Sequence, residues 1–486
     1  MKKYILFLSG LIIVLMIIMV IKTMKFTSLQ IKSEPAILPD FREESVANLS
    51  KAITFPTISY AVNSPIDTAA FLGFHDFLFK AYPLINSKLE KELFSDFSLL
   101  YTWKGKNTSL KPVILMAHID VVPVGEVDSW QKNPFSGEND GTYIWGRGAL
   151  DDKSSMISIL EATEKLISEN FQPERTIYFA FGHDEEIDGF RGAQVIASAL
   201  KERGVAAEFV LDEGMAITLG IVPMISKPVA LIGTAEKGYL SVKMTVEMEG
   251  GHSSTPEKET AISLLNKALY RILKKEMKAK ISGPVEDFIR YIGPEMPLYA
   301  KFIFANNWLF KGLILNIYTG SSSGNALVRT TTVPTIISAG MKDNVIPAKA
   351  EAVVNFRILP DESSKDVIQH LTGVISDQRV KISILEGLRE PTPSSPVNVP
   401  GFKIISTTIR QVFPEVIVSP TLMLASSDSR KFIAVSNNIY KFVPIVVTSE
   451  DLSRIHGLNE RTKISDFSRG ISFYYHLLKN IQSRYD

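Results

Sequence analysis

Apolar positions along the chain follow two kinds of pattern. From about residue 110 to 235, short apolar runs such as Val113–Val121 (VILMAHIDV) alternate with stretches whose apolar residues recur at helical spacing. Thr176–Gly182 and Ala207–Gly214 predict further strands, with helices predicted over Ser154–Ile167 and Gly192–Arg203. This strand–helix alternation predicts an α/β domain with a mostly parallel sheet covered on both faces.

The pattern changes near Gly233, after which the strands alternate polar and apolar residues as half-exposed antiparallel strands do. The predicted order is β-α-β-β-α-β, over Gly238–Glu249, Ala261–Leu273, Thr331–Ala339, Ala348–Ile358, Asp361–Ile375 and Val380–Glu386. Residues 280–330 are less regular and end in a predicted loop, Thr319–Ala326. We therefore predict a small α+β domain inserted into the first, with the proline-rich Pro391–Pro400 marking the return.

The N-terminal segment Tyr4–Ile21 is free of charged residues and long enough to cross a bilayer. Lysines follow it instead of the small residues of a cleavage site, which favours a single-pass signal anchor over a cleaved signal that would leave a secreted protein. Lys2 and Lys3 place the N-terminus in the cytosol and the rest outside the cytoplasm, although Lys22 and Lys25 weaken this orientation. The predicted segments are an anchor (1–25), a tether (26–44), the sheet domain (45–235 and 392–486) and the insertion (236–391).

Charge and cysteine content narrow the chemistry. The chain has 53 basic and 52 acidic residues, so its overall charge gives no reason to expect nucleic acid as a partner. It has no cysteine, which excludes disulfides and thiolate metal sites. Any metal must therefore be held by histidine, aspartate and glutamate.

Histidines and carboxylates cluster where the predicted strands end. His118 and Asp120 close the first strand and, two residues apart, project to the same side. Ligand sites of such sheets lie at the C-terminal ends of the strands. Four further motifs carry ionisable groups: GRGALDDK (Gly146–Lys153), GHDEEIDG (Gly182–Gly189), LDEG (Leu211–Gly214) and RIHGLNE (Arg454–Glu460).

Each motif alone has an ordinary structural explanation, such as a buried His–Asp pair, a helix cap or a solvated acidic loop. Together, two histidines and several strand-end carboxylates suit a site for two zinc ions. Adjacent glutamates allow one to bind metal while its neighbour takes a proton from water. The sequence contains no HExxH, GxSxG or P-loop motif, so a zincin, a serine hydrolase or an NTPase is not indicated.

The ordered motifs resemble those of the co-catalytic zinc peptidase superfamily of carboxypeptidase S, aminoacylase and succinyl-diaminopimelate desuccinylase. The likeness covers about residues 45–480 and is strongest to the branch of carboxypeptidase S and N-fatty-acyl-amino-acid hydrolase/synthases. It implies two zinc ions per chain and the ligands His118, Asp151 (bridging), Glu186, Asp212 and His456. It further implies Glu185 as general base, Asp120 as the residue orienting His118, and a cis peptide before Asp152. Glu213 stays an alternative to Asp212.

Three residues of the insertion also match this superfamily. His252, in GGHSSTP, resembles the histidine that stabilises the developing oxyanion, often from a partner subunit. Asn325 and Arg357 resemble groups that hold the substrate carboxylate, and an arginine fork suits a carboxylate. Arg357 taken alone fits a surface strand residue equally well. The resemblance thus implies that the insertion is a lid and a possible homodimer contact.

The expected function is hydrolysis of an amide bond next to a free carboxylate, on a small peptide or an N-acyl amino acid. A catalytically inactive, membrane-tethered binding protein with the same fold is the alternative from a different class. The apolar stretch Phe302–Leu315 beside an anchor favours lipid-like acyl substrates, but a lid-helix core or a dimer contact explains such a stretch more commonly.

Overall fold

The chain divides into two compact units in the computed structural model, which describes residues 2–39, 41 and 43–482. The larger unit comprises Ser28–Thr234, Ser395–Thr421 and Ser426–Asp486, and the smaller comprises Met1–Thr27, Ala235–Ser394 and Leu422–Ala425. Some residues of the predicted segments lie outside the described residues: Met1 of the anchor, Asp40 and Arg42 of the tether, and residues 483–486 of the sheet domain.

The strands of the larger unit are β1 (Glu90–Phe94), β2 (Ser98–Trp103), β3 (Val113–His118), β4 (Tyr143–Trp145), β5 (Ile177–Gly182), β6 (Phe209–Asp212), β7 (Ile217–Thr218), β8 (Val229–Glu236), β15 (Ile417–Met423), β16 (Ile439–Lys441), β17 (Val446–Val447) and β18 (Arg461–Lys463). Ten of them form one sheet in the order β1-β2-β5-β3-β6-β16-β8-β7-β17, with β15 paired to β8. β4 and β18 form a separate antiparallel pair.

The large sheet is mixed. Its centre, β5-β3-β6-β16, is parallel, as the strand–helix alternation predicts. The pairs β1–β2, β2–β5, β16–β8 and β7–β8 are antiparallel. The α/β fold class is confirmed, but parallel pairing is found at the centre and between β7 and β17, while short connections such as the β1–β2 turn add antiparallel strands.

Helices cover this sheet through apolar contacts. They are α2 (Glu43–Ile53), α3 (Thr68–Ala81), α4 (Pro83–Lys88), α5 (Lys153–Ser168), α6 (Ala193–Glu202), α13 (Pro400–Val412), α14 (Ser449–Leu452) and α15 (Ile464–Asn480). Ile114 and Met116 of β3 share a buried cluster with Ile196 and Leu200 of α6, while α5 contacts β3 and α15. Every residue of β3 is buried, so the strand holds the residues at its C-terminal end against the core of the sheet.

The smaller unit contains β9 (Gly238–Glu247), β10 (Gly251–His252), β11 (Thr331–Ala339), β12 (Val345–Ile346), β13 (Lys349–Ile358) and β14 (Val380–Ile384). An antiparallel sheet of order β11-β13-β9-β14 packs with α7 (Ala261–Lys274) and α12 (Ser364–Ile375) around one apolar core. Along the chain these elements run β-α-β-β-α-β, in the predicted order.

Helices also fill the region that the pattern left irregular, namely α8 (Gly283–Ile292), α9 (Leu298–Ala305), α10 (Asn307–Thr319) and α11 (Ser322–Val328). The loop predicted over Thr319–Ala326 is therefore wrong. The Ser321 side chain caps α11 by accepting a hydrogen bond from the Gly324 N–H. The remaining helix, α1 (Lys2–Lys25), has the length and composition to cross a membrane, and a signal sequence passes the same test.

Candidate active site

His118 stands at the end of β3 with both ring nitrogens engaged. Its Nδ1 lies 2.9 Å from the backbone oxygen of Asp120, and its Nε2 lies 2.9 Å from Oδ1 of Asp151. The His118 side chain is only 2% exposed. Burial lowers its pKa, but hydrogen bonds to the Asp120 and Asp151 carboxylates outweigh burial and raise the pKa well above the usual value.

Asp151 joins the two sequence-distant histidines. Its second oxygen, Oδ2, lies 3.1 Å from Nε2 of His456, and the same nitrogen lies 3.1 Å from Oε2 of Glu186. Burial raises the pKa of Asp151, yet hydrogen bonds from the two histidines bring it below its usual range. The Asp151–Asp152 peptide bond is cis, as the family resemblance implies. One carboxylate thus faces a histidine on each side.

Asp120 positions the turn that carries the two glutamates. Its carboxylate accepts hydrogen bonds from the backbone N–H groups of Glu185 and Glu186, at 3.0 and 3.2 Å. These glutamates begin a short 3₁₀ turn, separated from the end of β5 by His183 and Asp184. Burial raises the pKa of Glu185 well above its usual value, and the nearby carboxylate of Asp428 raises it further. A carboxylate whose pKa is raised binds a proton more readily than an ordinary glutamate does.

Two further carboxylates, Asp212 and Glu213, stand at the C-terminal end of β6. Asp212 accepts a hydrogen bond from the Ser429 N–H at 2.8 Å, and burial raises the pKa values of both Asp212 and Glu213. Asp428 approaches the glutamate turn so closely that a Cβ at Gly189 would lie 1.8 Å from its Oδ1. Gly189 also has a positive φ of 61°, so glycine is required there on both counts.

These side chains fit bound cations. Ligand atoms of His118, Glu185 and Glu186 lie within 4.8 Å of one another, and so do those of Asp151, Glu186 and His456. The buried Oε1 of Glu186 has no hydrogen-bond partner among the described residues. Clustered carboxylates repel one another in a buried site, and divalent cations remove that repulsion. The set of histidine and carboxylate donors is one that zinc accepts.

His456 lies in the loop between α14 and β18. This histidine has a positive φ of 59°, an uncommon backbone conformation for a residue with a side chain, and is 53% exposed. Hydrogen bonds to Asp151 and Glu186 raise its pKa to about 10. The loop is tied down at Glu460, which is fully buried.

Glu460 links this loop to the segment that carries Asp151. Its Oε1 accepts hydrogen bonds from the N–H groups of Gly148, Leu150 and Asp151 at 2.7–3.1 Å. Its Oε2 pairs with the buried guanidinium of Arg147 at 2.6 Å. Glu460 therefore positions both Asp151 and the chain around His456 without belonging to the metal-ligand candidates.

The sequence did not predict the positions of Asp428 and Glu460 at this site. Asp428 follows the buried strand β15, whose pattern is interrupted by Pro420, a residue that argues against a strand. Applying the strand-end rule to that run would have found Asp428. Glu460 lies in a quoted motif, but nothing in its spacing indicates a contact with backbone 310 residues away.

The three predicted residues of the insertion belong to the smaller unit. His252 is exposed in the β10–β12 ribbon, where its Nδ1 accepts a hydrogen bond from the Ser254 N–H. Asn325 in α11 accepts a hydrogen bond from Nε of Arg329 at 2.9 Å. The guanidinium of Arg357 lies 4.9 Å from the ring centre of Tyr239, and burial lowers its pKa.

The site has a counterpart among known protein families. The profile of Peptidase family M20/M25/M40 matches residues 114–480, a span that contains every strand-end motif described above. The chain belongs to this family. It is therefore a hydrolase of the M20 metallopeptidases, whose members depend on bound metal.

Relatives within the M20 family resemble almost the whole chain. "Probable carboxypeptidase S-like 2" of Dictyostelium discoideum is 41% identical, covering 97% of this chain and 93% of its own length. "N-fatty-acyl-amino acid synthase/hydrolase PM20D1" of Xenopus tropicalis is 40% identical, covering 90% and 86%. The M20 metallo-carboxypeptidase Sso-CP2 of Sulfolobus solfataricus has a similar fold, with a TM-score of 0.65 at 18% identity over 90% of this chain and 99% of that one. The resemblance to this family and branch is confirmed.

Proposed function

We propose that this M20 enzyme is a two-zinc hydrolase that cleaves an amide bond adjacent to a free carboxylate. The observation that carries the proposal is the position of Asp151, whose two oxygens face His118 and His456 separately. A carboxylate so placed suits a bridge between two ions. The proposed ligands are His118, Asp151, Glu186, Asp212 and His456, with Glu213 as the alternative to Asp212.

Glu185 is the proposed general base. When bound, the zinc ions would polarise the amide carbonyl and acidify a water molecule. Glu185 takes the proton from the attacking water and passes it to the leaving amine, and its raised pKa supports both transfers. Asp120 keeps Glu185 in place through its hydrogen bond to the Glu185 N–H.

Recognition of the substrate is assigned to the smaller unit. Arg357 and Asn325 would bind the free carboxylate, with the guanidinium donating two parallel hydrogen bonds. His252 would donate to the developing oxyanion, a contact of about 3–4 kcal/mol in other acyl-transfer sites. Because His252 is exposed, it could reach the active site of a partner subunit, and a homodimer through the smaller unit is therefore part of the proposal.

The N-terminal helix is proposed as an uncleaved anchor that holds the enzyme on a membrane, outside the cytoplasm. The absence of charge from Tyr4 to Ile21 and the lysines that flank this stretch support the anchor. Mass spectrometry of the purified protein would test it, because an intact Lys22–Lys25 segment is expected and a cleaved N-terminus would contradict it.

Two substrate classes fit the proposed site, and the relatives are named for both of them. Purified full-length enzyme should release the free amino acid from N-acyl amino acids, from dipeptides, or from both, and compared rates on one preparation decide which. Elemental analysis should find two zinc ions per chain. An inert protein that binds these compounds without releasing amino acid would instead support a catalytically inactive binding protein.

Asp212 and Glu213 can be separated in the same preparation. Asp212→Asn should lower the zinc content, whereas Glu213→Gln should leave two zinc ions bound. The reverse outcome would make Glu213 the ligand.

A further inference from the structure

Helices α9 and α10 of the smaller unit expose large apolar side chains to solvent. These residues, called here the α9–α10 apolar face, are Leu298, Tyr299, Trp308, Leu309, Leu313 and Ile317. Leu309, Leu313 and Ile317 are spaced four residues apart and therefore share one side of α10. An apolar helix face open to solvent marks a surface that something else covers.

The same two helices contact the C-terminal end of α1. The buried side chain of Asn306, between α9 and α10, places its Nδ2 3.2 Å from the backbone oxygen of Met19 and 3.2 Å from Oγ1 of Thr23. Met19 and Thr23 are the buried residues of α1, whereas the apolar residues in its first three turns are exposed. A polar side chain bonded between helices is a usual means of joining helices in a membrane environment.

Two further contacts fix the end of α1 beside this face. The Phe26 ring lies so close to Gly293 that a Cβ there would approach its Cε1 to 2.6 Å. The ammonium of Lys22 lies 5.1 Å from the ring centre of Trp308, within reach of a cation–π interaction. Trp308 therefore belongs both to the apolar face and to the contact with α1.

The two helices that carry the face bear positive charge only. Residues 296–342 contain no aspartate or glutamate, while Lys301 and Lys311 lie on α9 and α10. Lys22 and Lys25 close the last turn of α1. Aromatic rings combined with lysines are typical of the zone where a membrane meets water, and basic residues complement anionic headgroups.

We propose that the α9–α10 apolar face lies in the interfacial layer of the bilayer that α1 crosses, with phospholipid as its occupant. The inference rests on the proposed anchor role of α1. Because the end of α1 leaves the membrane at Lys22 and Lys25, the helices bonded to that end lie at headgroup depth. The enzyme would then be held by a span and by a second, monotopic contact.

The absence of cysteine from the chain allows single-cysteine spin labelling of the full-length protein. Leu313→Cys and Ile317→Cys report on the face, and Ile13→Cys reports on the middle of the anchor. Leu273→Cys, on α7, is the matched control, because Leu273 is 46% exposed and Leu313 is 45% exposed. The probe is a vesicle of phosphatidylcholine and phosphatidylserine, and the measurement compares collisions of each label with oxygen and with a water-soluble nickel chelate.

Labels at positions 313 and 317 are expected to favour oxygen over the nickel chelate more than the label at position 273 and less than the label at position 13, as their headgroup depth requires. Labels at 313 and 317 that behave like 273, with position 13 still in lipid, would overturn the inference and leave the anchor standing. A water-exposed label at position 13 would overturn the anchor as well. Spin–spin broadening at position 313 that disappears on dilution with unlabelled enzyme would assign the face to a second copy of the chain, against the proposal.

Discussion

His118 and His456 flank the same carboxylate but are held in opposite ways. His118 ends a buried strand and is 2% exposed, whereas His456 stands on a loop, is 53% exposed and has a positive φ. The first is fixed by the core of the sheet. The second depends on Glu460, which ties its loop to the backbone around Asp151. The two sides of the site should therefore respond differently to substitution.

The largest effect is expected from Glu185→Gln, which removes the proposed base beside His118. The turnover number should fall by about a hundred- to ten-thousand-fold, because proton transfer is lost. Zinc content by elemental analysis should stay at two ions per chain. Asp188→Asn makes the same charge change nearby, and asparagine tolerates the left-handed backbone of that position, so this control should keep its activity. Wild-type turnover in Glu185→Gln would remove Glu185 from the mechanism.

Replacing the histidines separates the two sides directly. His118→Ala and His456→Ala should both lower zinc content and turnover. His118→Ala should lower the melting temperature of the chelator-treated protein more than His456→Ala does, because it empties a buried position and leaves buried carboxylates unpaired. Thermal unfolding of both variants without metal makes the comparison. Equal losses of melting temperature would contradict the distinction, and full zinc content in His456→Ala would exclude His456 as a ligand.

Glu460→Gln tests the support behind His456. The glutamine oxygen can still accept the backbone hydrogen bonds, but its amide group would face the Arg147 guanidinium, donor against donor. Loss of such supporting contacts typically weakens metal affinity by about 10- to 100-fold. Zinc titration against a competing chelator measures this, and Glu450→Gln is the control, since Glu450 is 73% exposed in the same region. Unchanged affinity in Glu460→Gln would make Glu460 a purely structural residue.

The smallest effect concerns pH. In the metal-free enzyme the pKa of His456 is raised to about 10, so the ring is protonated at neutral pH and must lose that proton to bind zinc. Apparent zinc affinity should therefore rise between pH 7 and 9, with proton release visible by calorimetry in buffers of different ionisation enthalpy. The charged ring stabilises the metal-free fold below its unfolded pKa, and this contribution is lost as the pH rises toward 10. His456→Ala should release fewer protons.

Strand ends were the most predictable part of the molecule. Short apolar runs such as Val113–His118, repeated between helical stretches, predict buried strands, and the carboxyl-end rule then brings His118, Asp120, Glu185 and Asp212 together. The residue roles remain proposals, but their proximity follows from topology. The helices over 283–328 were less predictable, because their apolar residues also face outward and the pattern loses its period.

The contact of Glu460 with the backbone around Asp151 could not be predicted from the sequence. Glu460 is four residues from a histidine that the motif identified, yet its role depends on backbone N–H groups that no side-chain pattern encodes. Pro420 likewise conceals the strand before Asp428. In both cases tertiary structure determines the function of a residue whose local sequence is ordinary.

The hydrogen bonds between Glu460 and the backbone around Asp151 have a consequence for the order in which the site forms during synthesis. Leu150 and Glu460 are 310 residues apart, so the ribosome makes the whole smaller-unit sequence before the second half of the contact exists. Until then the backbone donors beside Asp151 lack their buried acceptor and His456 has not been synthesised. A nascent chain released short of residue 460 would lack the contacts of Glu460 with the backbone of Gly148, Leu150 and Asp151. With the ligands proposed here, metal loading would follow the synthesis of His456 and Glu460.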